Sequence, residues 1–460
     1  MTGVAALPGQ AKAFMLQLAR SEAGAMLLAF SAATLLLRLG SNVVLTRLLN
    51  PHAFGVVGVI TSVMVVLTML SDLGFLEFVV RHKKGNDRRL LDVIWTIRLG
   101  QAALQSLAMM ASAWPVALFL GKPELALPIA ATAPLFLVNA LCPMALLVAQ
   151  REGRVRTTCT IELGTLAVQI AANLALSLVL PDYRALLIGL YVSSIVRPIL
   201  TIAMIGGGSR PRWDVGLARE FFGFSRWIMA STLLTLLLTQ SDKILFARLF
   251  SVADFGVYML PANLALALQP FGRNYVERYF YPLVARTWQE APEKLAGLFY
   301  AVRTRLYLLL FAGFGFGIGF APTLFRILFD HRYEYGWIYF SVLLLRAALE
   351  IDSLANIRTI LAMGRSSPML RANLVRLLLF GLWTAALFQT LGPIALPLAL
   401  TVAELGALLY TIALLRKADL FRPATHGLFY AVLAAAAALG AGVSLVFAPE
   451  VIRAGLALIG

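Results

Sequence analysis

Charged side chains set inside long apolar stretches are the residues of this chain best placed to do chemistry. An ionised group deep in hydrocarbon is costly, so it marks either a neutralised pair or a site reached by water and a polar ligand. Arg38, Arg197, Arg346, Glu350 and Glu404 fall near the middle of such stretches. Asp72, Glu77, Arg98, Glu162, Asp242, Lys243, Arg273, Glu277, Arg278, Asp352, Arg358 and Arg376 lie nearer their ends, where long side chains can snorkel. Spacing sorts them. Arg346 and Glu350 are four residues apart, share a helix face and are expected to neutralise each other, Arg346 exchanging Glu350 for an anion in a second state. Asp352 and Asn356 occupy the opposite face of that helix. Arg38 and Asn42 share a face, while Arg273 with Glu277, and Asn274 with Arg278, form two neighbouring stripes. Guanidinium forks of this kind match phosphate oxygens bidentately. Acids and bases nearly balance, so helix phase rather than total charge decides the sign of any cavity.

No catalytic or metal constellation stands beside these charges. His52, His82, His331 and His426 are scattered singly in loops, none with a ligand partner at metal spacing. Cys142 and Cys159 cannot build a disulfide framework and read as small core residues. The outer loops are short, which leaves no room for the donor and acceptor pocket of a membrane polymerase or ligase. A purely structural scaffold would have no use for charges at mid-depth.

The elements that must position these groups are membrane helices. Hydrophobic residues make up 60% of the 460 and charged residues 13%, about half the share in a soluble domain. A bilayer core needs roughly 20 apolar residues per helix. Thirteen stretches qualify: 23–47, 54–80, 90–120, 124–149, 157–180, 184–206, 221–249, 255–282, 301–326, 334–362, 370–391, 394–415 and 426–447. Residues 1–22 read as a lead-in whose part from residue 10 is amphipathic and lies on the membrane surface. The stretch 450–460 is too short to cross and reads as the start of a truncated fourteenth span. The N-terminal segment and the loops after even-numbered spans hold 22 Lys and Arg, the loops after odd-numbered spans 7. The positive-inside rule therefore places the N-terminus in the cytoplasm. The run Arg81-His82-Lys83-Lys84 with Arg88-Arg89 is the strongest anchor and a contact for anionic membrane lipid. Most of the net charge of +16 lies in those loops, so no basic domain exists to bind nucleic acid.

The chain also repeats itself. At an offset of 201 residues, Arg47-Leu48-Leu49 and Ala53-Phe54-Gly55-Val56 return as Arg248-Leu249-Phe250 and Asp254-Phe255-Gly256-Val257. Six spans separate the copies, so the repeat is parallel. The expected fold is all-α and polytopic: an N-lobe over 23–206, a cytoplasmic linker over 207–220 whose Gly206-Gly207-Gly208 triplet suits a hinge, a C-lobe over 221–415, and appended helices over 416–460.

The repeated turn, with Ser71-Asp72-Leu73-Gly74-Phe75, Ser241-Asp242-Lys243, Phe255-Gly256-Val257-Tyr258, Ala262-Asn263 and Tyr281-Pro282-Leu283, resembles the bacterial oligosaccharide flippases, the Wzx-type polysaccharide biosynthesis proteins of the multidrug, oligosaccharidyl-lipid and polysaccharide exporter superfamily. The resemblance covers nearly the whole chain. It implies two six-helix lobes around a cavity that opens alternately to each face of a bacterial inner membrane. It implies a polyprenyl-pyrophosphate-linked glycan as substrate, moved to the periplasmic leaflet for cell-surface polysaccharide synthesis, with polymerase machinery as a further partner. Spans one, two, seven and eight would line the cavity, which selects Arg38, Asn42, Lys243, Arg273, Asn274 and Arg278, with Arg346, as substrate contacts. Asp72, Asp242, Glu277, Glu350 and Glu404 are then charge partners or ion-coupling groups. No cofactor is expected. Coupling to Na+ or H+ through Asp72, Asp242 or Glu404 fits, and the sequence does not choose among them. The same superfamily holds multidrug exporters, whose organic cations need an acidic, aromatic cavity, and lipid-linked peptidoglycan-precursor flippases. Both remain alternatives.

Overall fold

A computed structural model describes residues 22–82, 85–365 and 367–457. The lead-in before Glu22, Lys83 and Lys84 of the basic run, and the end of the last short stretch lie outside the described residues. Hydrocarbon offers no hydrogen-bond partner, so a spanning chain must satisfy its own amides. The described residues accordingly form helices and no strand. In chain order these are α1 (Glu22–Leu48), α2 (Pro51–Leu70), α3 (Phe75–Arg81), α4 (Arg88–Phe119), α5 (Ala126–Ala130), α6 (Pro134–Ala140), α7 (Ala145–Arg151), α8 (Val155–Val179), α9 (Tyr183–Ile205), α10 (Val215–Leu249), α11 (Val252–Tyr275), α12 (Tyr281–Glu290), α13 (Leu295–Leu328), α14 (Gly336–Ala362), α15 (Ser367–Leu391), α16 (Ala395–Lys417), α17 (Pro423–Phe447) and α18 (Pro449–Ala457).

All thirteen expected spans are occupied by helix. The second, fourth and eighth are built from pieces: α2 with α3, a short turn with α5 to α7, and α11 joined to α12 through a π-helical turn at Val276–Phe280. By length and apolarity alone, nine stretches among the described residues qualify as spans. α14 falls outside that number because Arg346, Glu350, Asp352 and Arg358 interrupt it.

Helices begin where the sequence supplies caps. Asn50 Oδ1 accepts from the Ala53 amide at 2.9 Å and Pro51 opens α2. Asp87, Asp182 and Asp214 cap α4, α9 and α10 in the same way. The Leu217 amide, with the Arg89 side chain, holds the Asp214 carboxyl below the usual carboxylate range. The contribution of that cap is therefore complete above the range and is lost as pH falls through the lowered value.

The chain divides into two compact units, residues 18–256 and 257–460. In the first, α1 packs on α8, α8 on α9, and α10 along α2 and α4. Phe221 of α10 meets Phe75 and Phe78 of α3, each with ring centroids 5.1 Å apart. The expected linker is strapped to α4. The Arg210 amide donates to Asp92 Oδ1 at 2.9 Å, the Arg212 amide to Thr96 Oγ1 at 2.8 Å, and Arg89 pairs with Asp214 at 2.6 Å. Gly206 and Gly207, at φ of 76° and 80°, let the chain leave α9 for this path. The compact unit continues beyond the strap through α10 to Gly256.

Within this unit the two copies of the repeated turn meet. A Cβ on Gly55 would stand 1.8 Å from the Val252 carbonyl oxygen, and one on Gly256 1.9 Å from that of Pro51. Pro51 and Val252 are themselves 201 residues apart, so the contact is reciprocal. In the second unit, α13 and α17 cross equally closely. Gly315 and Gly319 lie against the carbonyls of Leu433 and Ala437, and Gly440 against that of Phe316. Small residues let backbones approach where lipid gives helices no hydrophobic drive to associate. Thr323 Oγ1 and Ser444 Oγ, 3.0 Å apart, join the same seam.

Gly256→Val should force two backbones apart and cost about 1–3 kcal/mol. Gly442→Val, with open space around the site, should cost little. Thermal unfolding of the purified variants in detergent checks this, and equal midpoints would contradict the reciprocal contact.

Candidate substrate-binding site

The second span breaks where its polar residues fall. α2 ends at Leu70, and Gly74 takes a left-handed φ of 66° before α3 begins. Asp72 holds the break: Oδ1 accepts from the Gly74 amide at 3.0 Å and Oδ2 from Thr232 Oγ1 at 3.1 Å. Ser225 Oγ donates to the Leu73 carbonyl at 2.7 Å. Gln101 donates to the Ser71 carbonyl, and Gln105 to Ser71 Oγ at 2.6 Å. Backbone groups released from a helix are costly in a low dielectric, and polar side chains of α4 and α10 replace the lost partners.

The repeat places Arg273 at the position of Asp72; α11 stays helical through Tyr275, and the eighth span loosens just beyond, into the π turn at Val276–Phe280. Interruptions at matching positions of two repeated halves mark binding sites in transporter folds. A hydropathy pattern cannot show a π turn. The Asp-Leu-Gly of the first break was the only available signal.

In the first unit, Arg38 is exposed on α1 and has no ion-pair partner among the described residues. Asn42 is half-buried one turn on. Lys243 contacts Gln240 Oε1 at 3.4 Å. Arg197 and Glu162 pair between α9 and α8. The side chains of Asp242 and Arg278 lie outside the described residues.

In the second unit, several ion pairs run between helices. Glu350 accepts from Arg273 of α11 and from Gln269 Nε2 at 3.2 Å, where the spacing predicted Arg346 of its own helix. Arg346 is half-buried on α14. Glu277, expected on the stripe of Arg273, takes Arg358 of α14 at 2.5 Å. Glu404, 2% exposed, receives both arms of Arg376, at 2.8 and 2.7 Å. Arg376 also reaches Ser353 Oγ at 2.9 Å and Asn373 Oδ1 at 2.8 Å. With both oxygens occupied by a guanidinium, Glu404 is poorly placed to hold a coupling cation.

One cluster was not foreseen at all. Arg303, near the start of the expected span 301–326, is fully buried, and its Nη2 meets Asp352 Oδ1. Nη1 donates to Asn356 Oδ1 at 3.0 Å, and Asn356 reaches Thr411 at 3.3 Å. Tyr430 donates to Asp352 Oδ2 at 2.9 Å, and His426 Nδ1 lies 3.5 Å from the same oxygen. His426, read as a loop residue, is thus buried in α17. The cluster ties α13, α14, α16 and α17 together. Only the polar face of Asp352 and Asn356 hinted at it.

Among these groups Arg273 and Asn274 stand apart. Arg273 keeps 53% of its side chain exposed while Glu350 holds one side of it, and Asn274 beside it is exposed. A guanidinium so placed can donate to an anion's oxygens without first breaking a buried pair.

Helices in this number, an internal repeat, and interrupted spans, one of them carrying the half-exposed Arg273, define a polytopic membrane protein. A family model described as polysaccharide biosynthesis protein matches residues 44–335, and the chain belongs to that family. It is similar to the succinoglycan biosynthesis transport protein ExoT of Rhizobium meliloti (strain 1021), 24% identical over 310 residues, covering 64% of this chain and 59% of that protein. It is similar also to the lipopolysaccharide biosynthesis protein WzxC of Escherichia coli (strain K12), 24% identical over 260 residues, covering 56% and 52%. The match spans little more than half the length of these relatives. Among solved structures, the lipid II flippase MurJ in an inward closed conformation shares the fold with a TM-score of 0.67 at 12% identity, over 94% of this chain and 97% of that one. An inward-facing multidrug resistance MATE family transporter of the MOP superfamily gives 0.56 at 14% identity, over 84% and 94%. The expected family and the two-lobed helical fold are therefore both found.

Removing one partner of the Arg376–Glu404 pair should strand a buried carboxylate. Arg376→Met is expected to lose about 3–5 kcal/mol, and Arg376→Met with Glu404→Leu to recover most of it. Unfolding midpoints of the two variants in detergent measure the difference.

Proposed function

We propose that this protein is a flippase for a lipid-linked glycan, a polyprenyl-pyrophosphate oligosaccharide, which it moves from the cytoplasmic to the periplasmic leaflet of a bacterial inner membrane by alternating access. Its N-terminus is cytoplasmic in this reading. The glycan then feeds polysaccharide polymerase machinery at the cell surface. Family membership and the names of the relatives support the substrate class. The observation that carries the reading is the half-exposed Arg273 beside a helix interruption that recurs, at Asp72, in the other copy of the repeat.

The chemistry follows from the groups. Transfer between leaflets makes and breaks no bond, so the protein needs only to replace water around the charged headgroup during passage. Arg273 and Asn274 of the second unit supply donors for the pyrophosphate, as does Arg38 of the first at its own step. Glu350 keeps Arg273 oriented and receives it again on release. The lipid tail need never leave hydrocarbon. Coupling to Na+ or H+ is assigned to Asp72 or Asp242. A cation exporter is less well served, because the acids Glu277, Glu350 and Glu404 are each taken by an arginine.

Replacing a charge-assisted contact costs about 1.5–3 kcal/mol, so Arg38→Ala and Arg273→Ala should each lower export roughly tenfold or more. Surface polysaccharide and the lipid-linked sugar accumulating inside a deletion strain, complemented with each variant at equal membrane level, give the measurement. Wild-type export by both variants would remove these arginines from the mechanism. Accumulation of the peptidoglycan precursor instead would reassign the substrate.

A further inference from the structure

We infer that the furrow between α1 and α8 holds the polyprenyl chain of the carrier lipid, with Arg156 on its phosphate; this rests on the function proposed above. The furrow, of about 640 Å³, lies wholly within the first unit. Ala33 and Leu37 line it from α1, and Thr160, Leu163, Gly164 and Ala167 from α8. Small residues hollow it out, and the leucines wall it. Thr160 donates its hydroxyl to the Arg156 carbonyl at 2.8 Å, so it adds no unsatisfied polar group.

The α8 residues recur at helical spacing, and the same stripe continues one turn towards the start of the helix, to Arg156. Arg156 is exposed and has no ion-pair partner among the described residues. Arg154, two residues earlier, is already paired with Glu152 at 2.7 Å. From Arg156 to Ala167 the helix rises about 16 Å. A single guanidinium at the basic end of one narrow apolar furrow complements a lipid with one chain and a phosphate head. A diacyl phospholipid would bring two chains to the same furrow. The lining residues are distinct from Arg38 and Arg273, which take the pyrophosphate during passage, whereas Arg156 meets it at the basic end of the furrow.

Thermal unfolding of the purified protein in detergent, with polyprenyl pyrophosphate or phosphatidylglycerol added, tests the assignment. The polyprenyl lipid should raise the midpoint of the wild type. Ala167→Phe and Ala33→Leu, which fill the furrow from either side, and Arg156→Gln should each weaken the response about tenfold in lipid concentration. Val168→Phe, on an exposed neighbouring position, should respond as the wild type does. A rise of equal size in every variant would overturn the furrow and leave the flippase reading standing. An equal rise with phosphatidylglycerol would make it a site for ordinary membrane lipid. No rise in the wild type would count against the flippase reading itself.

Discussion

A membrane interior withholds hydrogen bonds, and the broken second span of this protein is arranged around that fact. Where the backbone stays helical, the requirement is met within the helix. Where it does not, at Ser71–Gly74, side chains from α4 and α10 take the place of the missing partners. A broken span of this kind survives only because Gln101, Gln105, Ser225 and Thr232 converge on it, so those residues belong to the break as fully as Asp72 does.

The same constraint explains why charges pair across helices. A pair along one helix would neutralise both groups but fasten nothing. Pairs such as Glu277 with Arg358 and Glu404 with Arg376 neutralise and fasten at once, which matters where apolar surface gives helices no reason to associate. The buried Arg303–Asp352 cluster is the extreme case, with its guanidinium stacked between Phe299 and Tyr307 at 4.4 and 4.5 Å from their ring centres. Against these closed pairs, the exposure of Arg273 is informative. Its neighbours show that the fold can bury an arginine when the arginine serves structure alone.

Much of the architecture was legible in the sequence because membrane crossing imposes a strong, local signal: twenty apolar residues, then basic residues on one side. The span positions follow from that signal, and the repeat from matching residues 201 apart. Partners were less legible. Helical spacing reports only neighbours on the same helix, so it could not show that Glu350 also accepts from Arg273 of α11. Arg303 and His426 lie towards the starts of α13 and α17, where hydropathy cannot separate a solvated loop from a buried polar cluster. Nor does spacing show that the segment 207–220 is strapped to α4 or that the compact unit runs on through α10 to Gly256.

The reciprocal glycines have a bearing on how such a chain can vary. Gly55 lies against a carbonyl of the second copy, and Gly256 against the equivalent carbonyl of the first. Neither turn owns its own clearance. A change of register or bulk in one half is felt first by the other, so the halves of a duplicated gene, though otherwise at liberty to drift apart in sequence, stay geometrically indentured to each other at this crossing. Divergence in substrate would then accumulate along the helices that lead away from it.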